Sequence, residues 1–61
     1  MPEQNTLKRL IGREIDIDRF DGGHDRGRLL NVNRRSLWLV VDEVEDRFVA
    51  LADIAMLRPA S

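Results

Sequence analysis

The sequence predicts a mostly β fold, in which a short N-terminal α-helix precedes a small, strongly bent barrel of five antiparallel strands. Three observations predict it. Apolar residues recur at helical spacing only near the start of the chain, and afterwards they alternate with polar residues or form short runs. Turn-forming or charged segments separate these runs at short intervals. A glycine interrupts one run, which favours a closed barrel over an open sheet.

The length of 61 residues allows one domain, residues 1–61, with a small core. The chain contains one histidine and no cysteine. The absence of cysteine excludes disulfides and thiolate metal sites. A domain this small without such supports usually depends on tight packing or self-association. Because 43% of the residues are apolar and the net charge is −1, the composition is that of a folded chain.

The helix is predicted over residues 3–10 and the barrel over residues 13–59. Pro2 suits the start of a helix, because the missing N–H of proline costs nothing in the first turn. Leu7 lies on its apolar face, and Gly12 is a suitable C-terminal cap. A helix of this length is too short to be stable alone, so we expect it to pack on the barrel.

The first strand is predicted over residues 14–18, where Ile15 and Ile17 alternate with acidic residues on an outer face. Phe20 breaks the alternation, which indicates a bulge or bend. The segment Asp21-Gly22-Gly23 is a strong turn signal, because glycine supplies the positive φ values that such turns need.

The remaining strands are predicted at residues 26–33, 37–41, 47–51 and 54–58. Gly27, inside the second strand, indicates a sharp bend or a close backbone approach. Alternation places Leu30 and Val32 on one face of that strand and Leu29 on the other. The third strand is apolar on both faces, which predicts cover on both sides or a subunit contact. A charged hairpin loop, 42–46, follows it.

Charge is distributed unevenly along the chain. Nine of the ten basic residues are arginine, whose planar guanidinium suits phosphate, carboxylate and base edges. Through Val41 there are eight basic and six acidic residues, whereas from Asp42 onward there are two basic and five acidic. An ordinary solvated surface also accounts for this usage. The near-neutral total argues against coating of nucleic acid by bulk electrostatics.

The order of these features resembles the Sm-like family, including its bacterial Hfq-type members. Gly27-Arg28-Leu29 matches the family's Gly-x-Leu motif after a turn, Asn5–Arg9 is similar to its helix, and Leu51–Leu57 is similar to its closing segment. Generic SH3-like barrels end in a similar way. The resemblance implies a homo-oligomeric ring, pentamer to heptamer, that binds single-stranded RNA and pairs its edge strands between neighbours.

The chain departs from the family's two RNA-contacting motifs. In the loop after the second strand, Asn33 stands where the family has Asp, and Ser36 stands where it has a base-recognising Asn. Leu51-Ala52 replaces the family's second motif, Arg-Gly or Lys-His. The resemblance therefore implies the fold more strongly than the RNA contacts.

The best anion-binding candidates are Arg34 and Arg35, with Asn33 and Ser36 beside them, since two guanidinium groups at a loop tip could hold phosphate. The alternative is a solvated turn in which Asn and Ser cap the backbone. A second basic cluster at the helix end consists of Lys8, Arg9 and Arg13, which could instead serve only the helix dipole and solubility.

Trp38 follows the arginine loop directly and is the only tryptophan. It could stack on a base, although a core or subunit contact is the more usual role of such a residue. The predicted oligomer interface consists of Trp38, Phe48, Val49, Leu51, Met56 and Leu57.

Asp21, His24 and Asp25 suggest a metal or general-base site, but a hydrated turn is the favoured interpretation. No nucleophile–base pairing or phosphate-binding glycine loop is found, so we expect no enzyme activity, no metal and no cofactor. No targeting or membrane-spanning segment is visible, which predicts a cytoplasmic protein.

Two functional hypotheses follow. The leading one is a ring that binds single-stranded RNA or another anionic nucleotide ligand through the loop arginines. The alternative is a protein-interaction or assembly module with the same barrel and no nucleic-acid role, which the acidic second part of the chain favours.

Overall fold

The computed structural model describes residues 4–60, which form one short helix and a single five-stranded antiparallel sheet. In chain order the elements are α1 (Gln4–Lys8), β1 (Glu14–Arg19), β2 (His24–Val32), β3 (Ser36–Val41), β4 (Glu45–Ala50), a 3₁₀ turn (Leu51–Asp53) and β5 (Ile54–Pro59). The predicted mostly β class, strand number and N-terminal helix are confirmed, with strand boundaries close to those expected.

The helix is shorter than the predicted span of residues 3–10. It ends at Lys8, and residue 3 lies outside the described residues. After the helix, the chain forms tight turns in which backbone hydrogen bonds join residues three apart. Gly12 then takes a φ of +91°, which a residue with a side chain rarely adopts, and this reverses the chain into β1. Leu7 is buried and attaches the helix to the core.

Two register shifts bend the sheet. The first lies between Asp18 and Arg19 in the pairing of β1 with β5, beside Phe20, and confirms the predicted irregularity. The second lies between Leu29 and Asn31 in the pairing of β2 with β3. The separation of Leu29 from Val32 onto opposite faces was therefore wrong: both are buried, because this shift changes the alternation of faces along β2.

Residues from the helix and all five strands form one core, so the sheet curls around a single apolar centre. The buried apolar side chains are Leu7, Ile15, Ile17, Leu29, Val32, Leu37, Leu39, Val49 and Ile54. In β3 only alternate residues are fully buried, and the other face is half-exposed. Within the subunit β3 is thus fully covered on one face only, and the alternative of a subunit contact on the other face stays a prediction.

The sheet does not close into the predicted barrel. Its strand order is β4-β3-β2-β1-β5, which leaves β4 and β5 as open edges. The 3₁₀ turn between them is the reason: Leu51 N–H donates to Arg35 O at its start, and Phe20 N–H donates to Asp53 O at its end. After the turn, β5 therefore pairs with β1 and not with β4. Closure of the barrel would have paired the free edges of β4 and β5, which instead stay open.

Gly27 provides the close backbone approach that its position in β2 predicts. A Cβ at this position would lie 2.5 Å from the backbone oxygen of Val40 in the neighbouring strand. The obstacle is backbone, which cannot rotate away as a side chain can.

We expect Gly27→Ala to lower the free energy of unfolding by about 2 kcal/mol, because overpacking forces the strands apart. Urea denaturation measures the change. Arg28→Ala, at the next and exposed position, is the control and should change stability little. Equal stability of Gly27→Ala and the wild type would show that the approach carries no constraint.

Candidate nucleic-acid interface

The turn between β2 and β3, residues 33–36, which includes the first residue of β3, is organised by one side chain. Asn33 Oδ1 accepts hydrogen bonds from Arg35 N–H and Ser36 N–H, each at 2.8 Å, and from Ser36 Oγ at 3.3 Å. This is the capping arrangement that asparagine commonly makes with the backbone two residues ahead. The Asn33 oxygen is thus engaged with the loop itself, as the capping alternative predicted.

Arg34 and Arg35 are exposed at the tip of this loop. Within residues 4–60, neither guanidinium hydrogen-bonds or pairs with a carboxylate. The loop backbone is nevertheless fixed, since Arg35 O accepts from Leu51 N–H at 2.7 Å. The structure therefore presents two unneutralised cations from a held backbone, a suitable arrangement for a phosphate or another oxyanion.

Four other arginines are neutralised by neighbouring carboxylates. These are Arg19, Arg26, Arg47 and Arg58. The contrast matters because a paired guanidinium must break an existing contact before it binds an anion. The predicted second cluster, Lys8, Arg9 and Arg13, is exposed, and no ion pair involves it among the described residues. A hydrogen bond from Leu29 N–H to Arg13 O holds the end of this turn beside β2.

The acidic outer face of β1 is present, and side chains of β2 and β5 contact it across the strands. His24 contacts Asp16 at 3.3 Å and Asp18 at 2.9 Å, and Arg58 reaches Asp18 at 3.0 Å. Arg26 lies 3.4 Å from Glu14 on the same face. Cross-strand pairs of this kind stabilise a sheet modestly.

Asp21, His24 and Asp25 do not converge. His24 points to the outer carboxylates, whereas Asp25, next to it in β2, faces the core side and is 3% exposed. Asp21 Oδ1 accepts from Gly23 N–H at 2.7 Å. Among the described residues, no three His, Asp or Glu side chains are grouped so that they could hold a metal ion.

Sequence reasoning missed the role of Asp25. Its carboxylate hydrogen-bonds to Arg19 from β1, and its other oxygen lies 2.7 Å from Arg47 Nη1 on β4. Arg47 also contacts Glu45 at 2.8 Å. The buried carboxylate thus links the edge strand β4 to β1 and β2 through charged hydrogen bonds. No local sequence pattern predicts this contact, because Arg47 lies 22 residues away from Asp25 in the chain.

These contacts shift several pKa values. The pKa of Asp18 is lowered, first by its hydrogen bond with His24 and then by Arg58. The pKa of Asp21 is lowered by the Gly23 N–H and then by Arg19. A carboxyl group with a lowered pKa stabilises the fold at neutral pH, and this contribution is lost as the pH falls through its folded-state pKa.

The predicted interface residues occupy different environments. Val49 is buried in the core, and Leu51 and Leu57 are half-buried against it, so they are engaged within the subunit. Met56 on β5 and Phe48 on β4 are 57% and 64% exposed. Trp38 is half-buried and stacks on Phe48, with ring centroids 5.7 Å apart and 10° between planes.

A recess with a volume of about 510 Å³ lies away from the arginine loop. It is lined by Gly12, Glu14, Arg26, Gly27, Arg28, Val40, Asp42 and Glu43. Its charged groups are two arginines and three carboxylates, so it does not favour an anionic ligand.

In residues 4–60 there is also no helix with the length and apolar character that crossing a bilayer requires.

Comparison with known proteins gives no match: no family model, curated protein or solved structure matches the chain.

Proposed function

We propose that the protein is an Sm-like subunit that assembles into a ring and binds single-stranded RNA, or another anionic nucleotide ligand, through Arg34 and Arg35. The observation that carries the proposal is the pair of unneutralised guanidinium groups on a backbone held by Asn33 and Leu51. Single-stranded nucleic acid presents phosphates at which such groups replace condensed counterions.

The open edges of the sheet support the assembly. β4 and β5 each contain six residues and carry unpaired backbone groups, which are a template for pairing with another chain. Pairing of β4 in one subunit with β5 in the next joins two different surfaces. Such a contact repeats head to tail and closes into a ring if the rotation permits. The resemblance to the Sm-like family implies five to seven subunits.

Hydrogen bonding within the sheet indicates which groups are free at these edges. In antiparallel pairs, alternate residues of a strand direct their N–H and C=O toward the same neighbour. Leu51 bonds toward β3 and Ala60 bonds toward β1. Phe48 and Ala50 of β4, and Leu57 of β5, lie in the opposite phase from these two residues and direct their backbone groups outward. Pro59 lies in the outward phase of β5, where its missing N–H costs no bond to β1.

A salt titration of RNA binding tests the proposal. We expect Arg34→Ala/Arg35→Ala to weaken binding of a short single-stranded RNA at least about 10-fold and to flatten the dependence of affinity on salt by about one phosphate contact per arginine.

The matched control is Arg26→Ala/Arg58→Ala, which removes the same charge from arginines that carboxylates already neutralise. If bulk charge alone binds RNA, both double variants will lose affinity equally. RNA affinity that is absent at low salt, or unchanged in the loop variant, contradicts the proposal.

The second candidate function is a protein-interaction module without a nucleic-acid role. Exposed apolar side chains favour it: Phe20, Val44, Phe48 and Met56 are each more than half exposed. Purified protein that carries no nucleic acid and retains one protein partner would support this function instead. Native mass spectrometry distinguishes the two candidates, since it reports the subunit number and any bound RNA together.

A further inference from the structure

The Trp38–Phe48 pair forms a flat aromatic surface on the outer face of the sheet. The two residues are direct cross-strand partners on β3 and β4, and their rings stack almost in parallel. Trp38 is half-buried, whereas Phe48 is 64% exposed. The indole is covered by Phe48, and the exposed phenyl ring is therefore available to a further planar group.

A small cleft of about 70 Å³ lies beside this pair. It is lined by Asn31, Val32, Asn33, Ser36, Trp38 and Phe48. The Trp38 indole N–H is buried and has no acceptor among the described residues. A buried donor without a partner destabilises a structure by about 1–3 kcal/mol, so this pair is not optimised as a packing contact alone. The cleft combines one aromatic surface with amide and hydroxyl groups, as nucleobase sites do.

The cleft is continuous with the arginine loop. Asn33 and Ser36 line it and also begin and end the loop that carries Arg34 and Arg35. An aromatic surface is thus next to two unneutralised cations. This is the combination by which single-stranded nucleic acids are bound, with bases stacked on rings and phosphates held by charge.

We propose that the exposed face of Phe48, supported by Trp38, binds an unpaired nucleobase whose backbone phosphate is held by Arg34 and Arg35. This inference rests on the proposed RNA binding and assigns a base-stacking site to it. The polar edge of the base faces the cleft that Asn31, Asn33 and Ser36 line. The Phe48 ring projects from the outer face of the sheet, whereas strand pairing at the β4 edge would take place in the plane of the sheet.

The test uses Trp38 as its own reporter, because it is the only tryptophan in the chain. The full-length protein is titrated with a short single-stranded RNA and, in parallel, with inorganic polyphosphate of similar charge. We expect RNA to quench the Trp38 fluorescence and polyphosphate to bind without quenching. Phe48→Ala should weaken RNA binding by between about 5-fold and about 150-fold, the value of one aromatic–base stack, and should leave polyphosphate binding unchanged.

Phe48→Tyr is the control, since it keeps a ring for stacking and should bind RNA like the wild type. Quenching by RNA with affinity that depends on Phe48 supports the site. If RNA and polyphosphate bind equally, without quenching, and only the loop arginines matter, the stacking site is wrong and the proposed function stands. If neither ligand binds, both fail. A change of oligomeric mass in Phe48→Ala would assign the ring to a second copy of the chain and overturn the inference.

Discussion

Replacing Asp25 with alanine is expected to lower the free energy of unfolding by about 3 kcal/mol, the lower end of the range for breaking a buried ion pair. The Asp25 carboxylate is fully buried and links Arg19 and Arg47, which are partly exposed and can regain water. Its loss releases β4 from β1 and β2 on the core side of an open sheet. For a domain of this size, we expect a Tm decrease of roughly 12–24 °C.

Thermal unfolding at one fixed protein concentration measures this, because self-association makes Tm depend on concentration. Glu45→Ala is the matched control: Glu45 contacts the same Arg47 but is 59% exposed, and such pairs contribute about 0–1 kcal/mol. Asp25→Asn retains an acceptor oxygen and should lie between the two. Equal Tm values for Asp25→Ala and Glu45→Ala would show that the buried contact does not hold the edge strand.

The elements that depend on local signals could be predicted from the sequence. Ile15 and Ile17 alternate with charged residues, and both are buried in β1 as expected. Gly27 predicts a close approach and provides one. The arginine loop is also where the turn signal places it, because Asn33 caps the backbone through local hydrogen bonds. Each of these features is indicated by the type and spacing of residues within a few positions of the chain.

Features that depend on distant partners could not be predicted in this way. The burial of Val32 follows from a register shift against β3, and the open sheet follows from two backbone hydrogen bonds that redirect β5. The sequence predicts that Asp25 belongs to a hydrated turn. In the structure β2 already begins at His24, and Asp25 therefore lies on the core side of the sheet. The cation that meets it there, Arg47, comes from another strand.

In the candidate nucleic-acid interface, too, some features could be predicted from local sequence and others depend on distant partners. The sequence identifies Arg34 and Arg35 by type and position, but it cannot show that four other arginines are neutralised. Among the described residues, these two remain unpaired, as do Arg9, Arg13 and Arg28. Trp38 was expected at the core or at a subunit contact, and its stack on Phe48 depends on the register of β3 with β4. Pairing across strands, rather than residue type, thus determines which candidates remain available.

Ala50→Pro is expected to convert the proposed ring into monomers without unfolding the subunit. Ala50 is exposed at the end of β4 and has φ −65° and ψ 134°, which proline adopts without strain. Its N–H lies in the outward phase of the strand, so its loss breaks no bond to β3. Proline at position 50 removes one of the outward N–H donors of β4 that a neighbouring β5 would need. Pro59 already leaves β5 without a donor at its end, so pairing of the two edges depends on the remaining outward groups of β4 and on Leu57.

Native mass spectrometry measures the oligomeric state, and circular dichroism checks that the sheet is retained. Ala50→Ser keeps the N–H and is the control, which should assemble like the wild type. Because proline also restricts the unfolded chain, the monomer should be as stable as, or up to about 1 kcal/mol more stable than, an unassembled wild-type subunit. A ring that persists in Ala50→Pro would contradict pairing through the β4 edge, since the substitution acts there and leaves β5 unchanged.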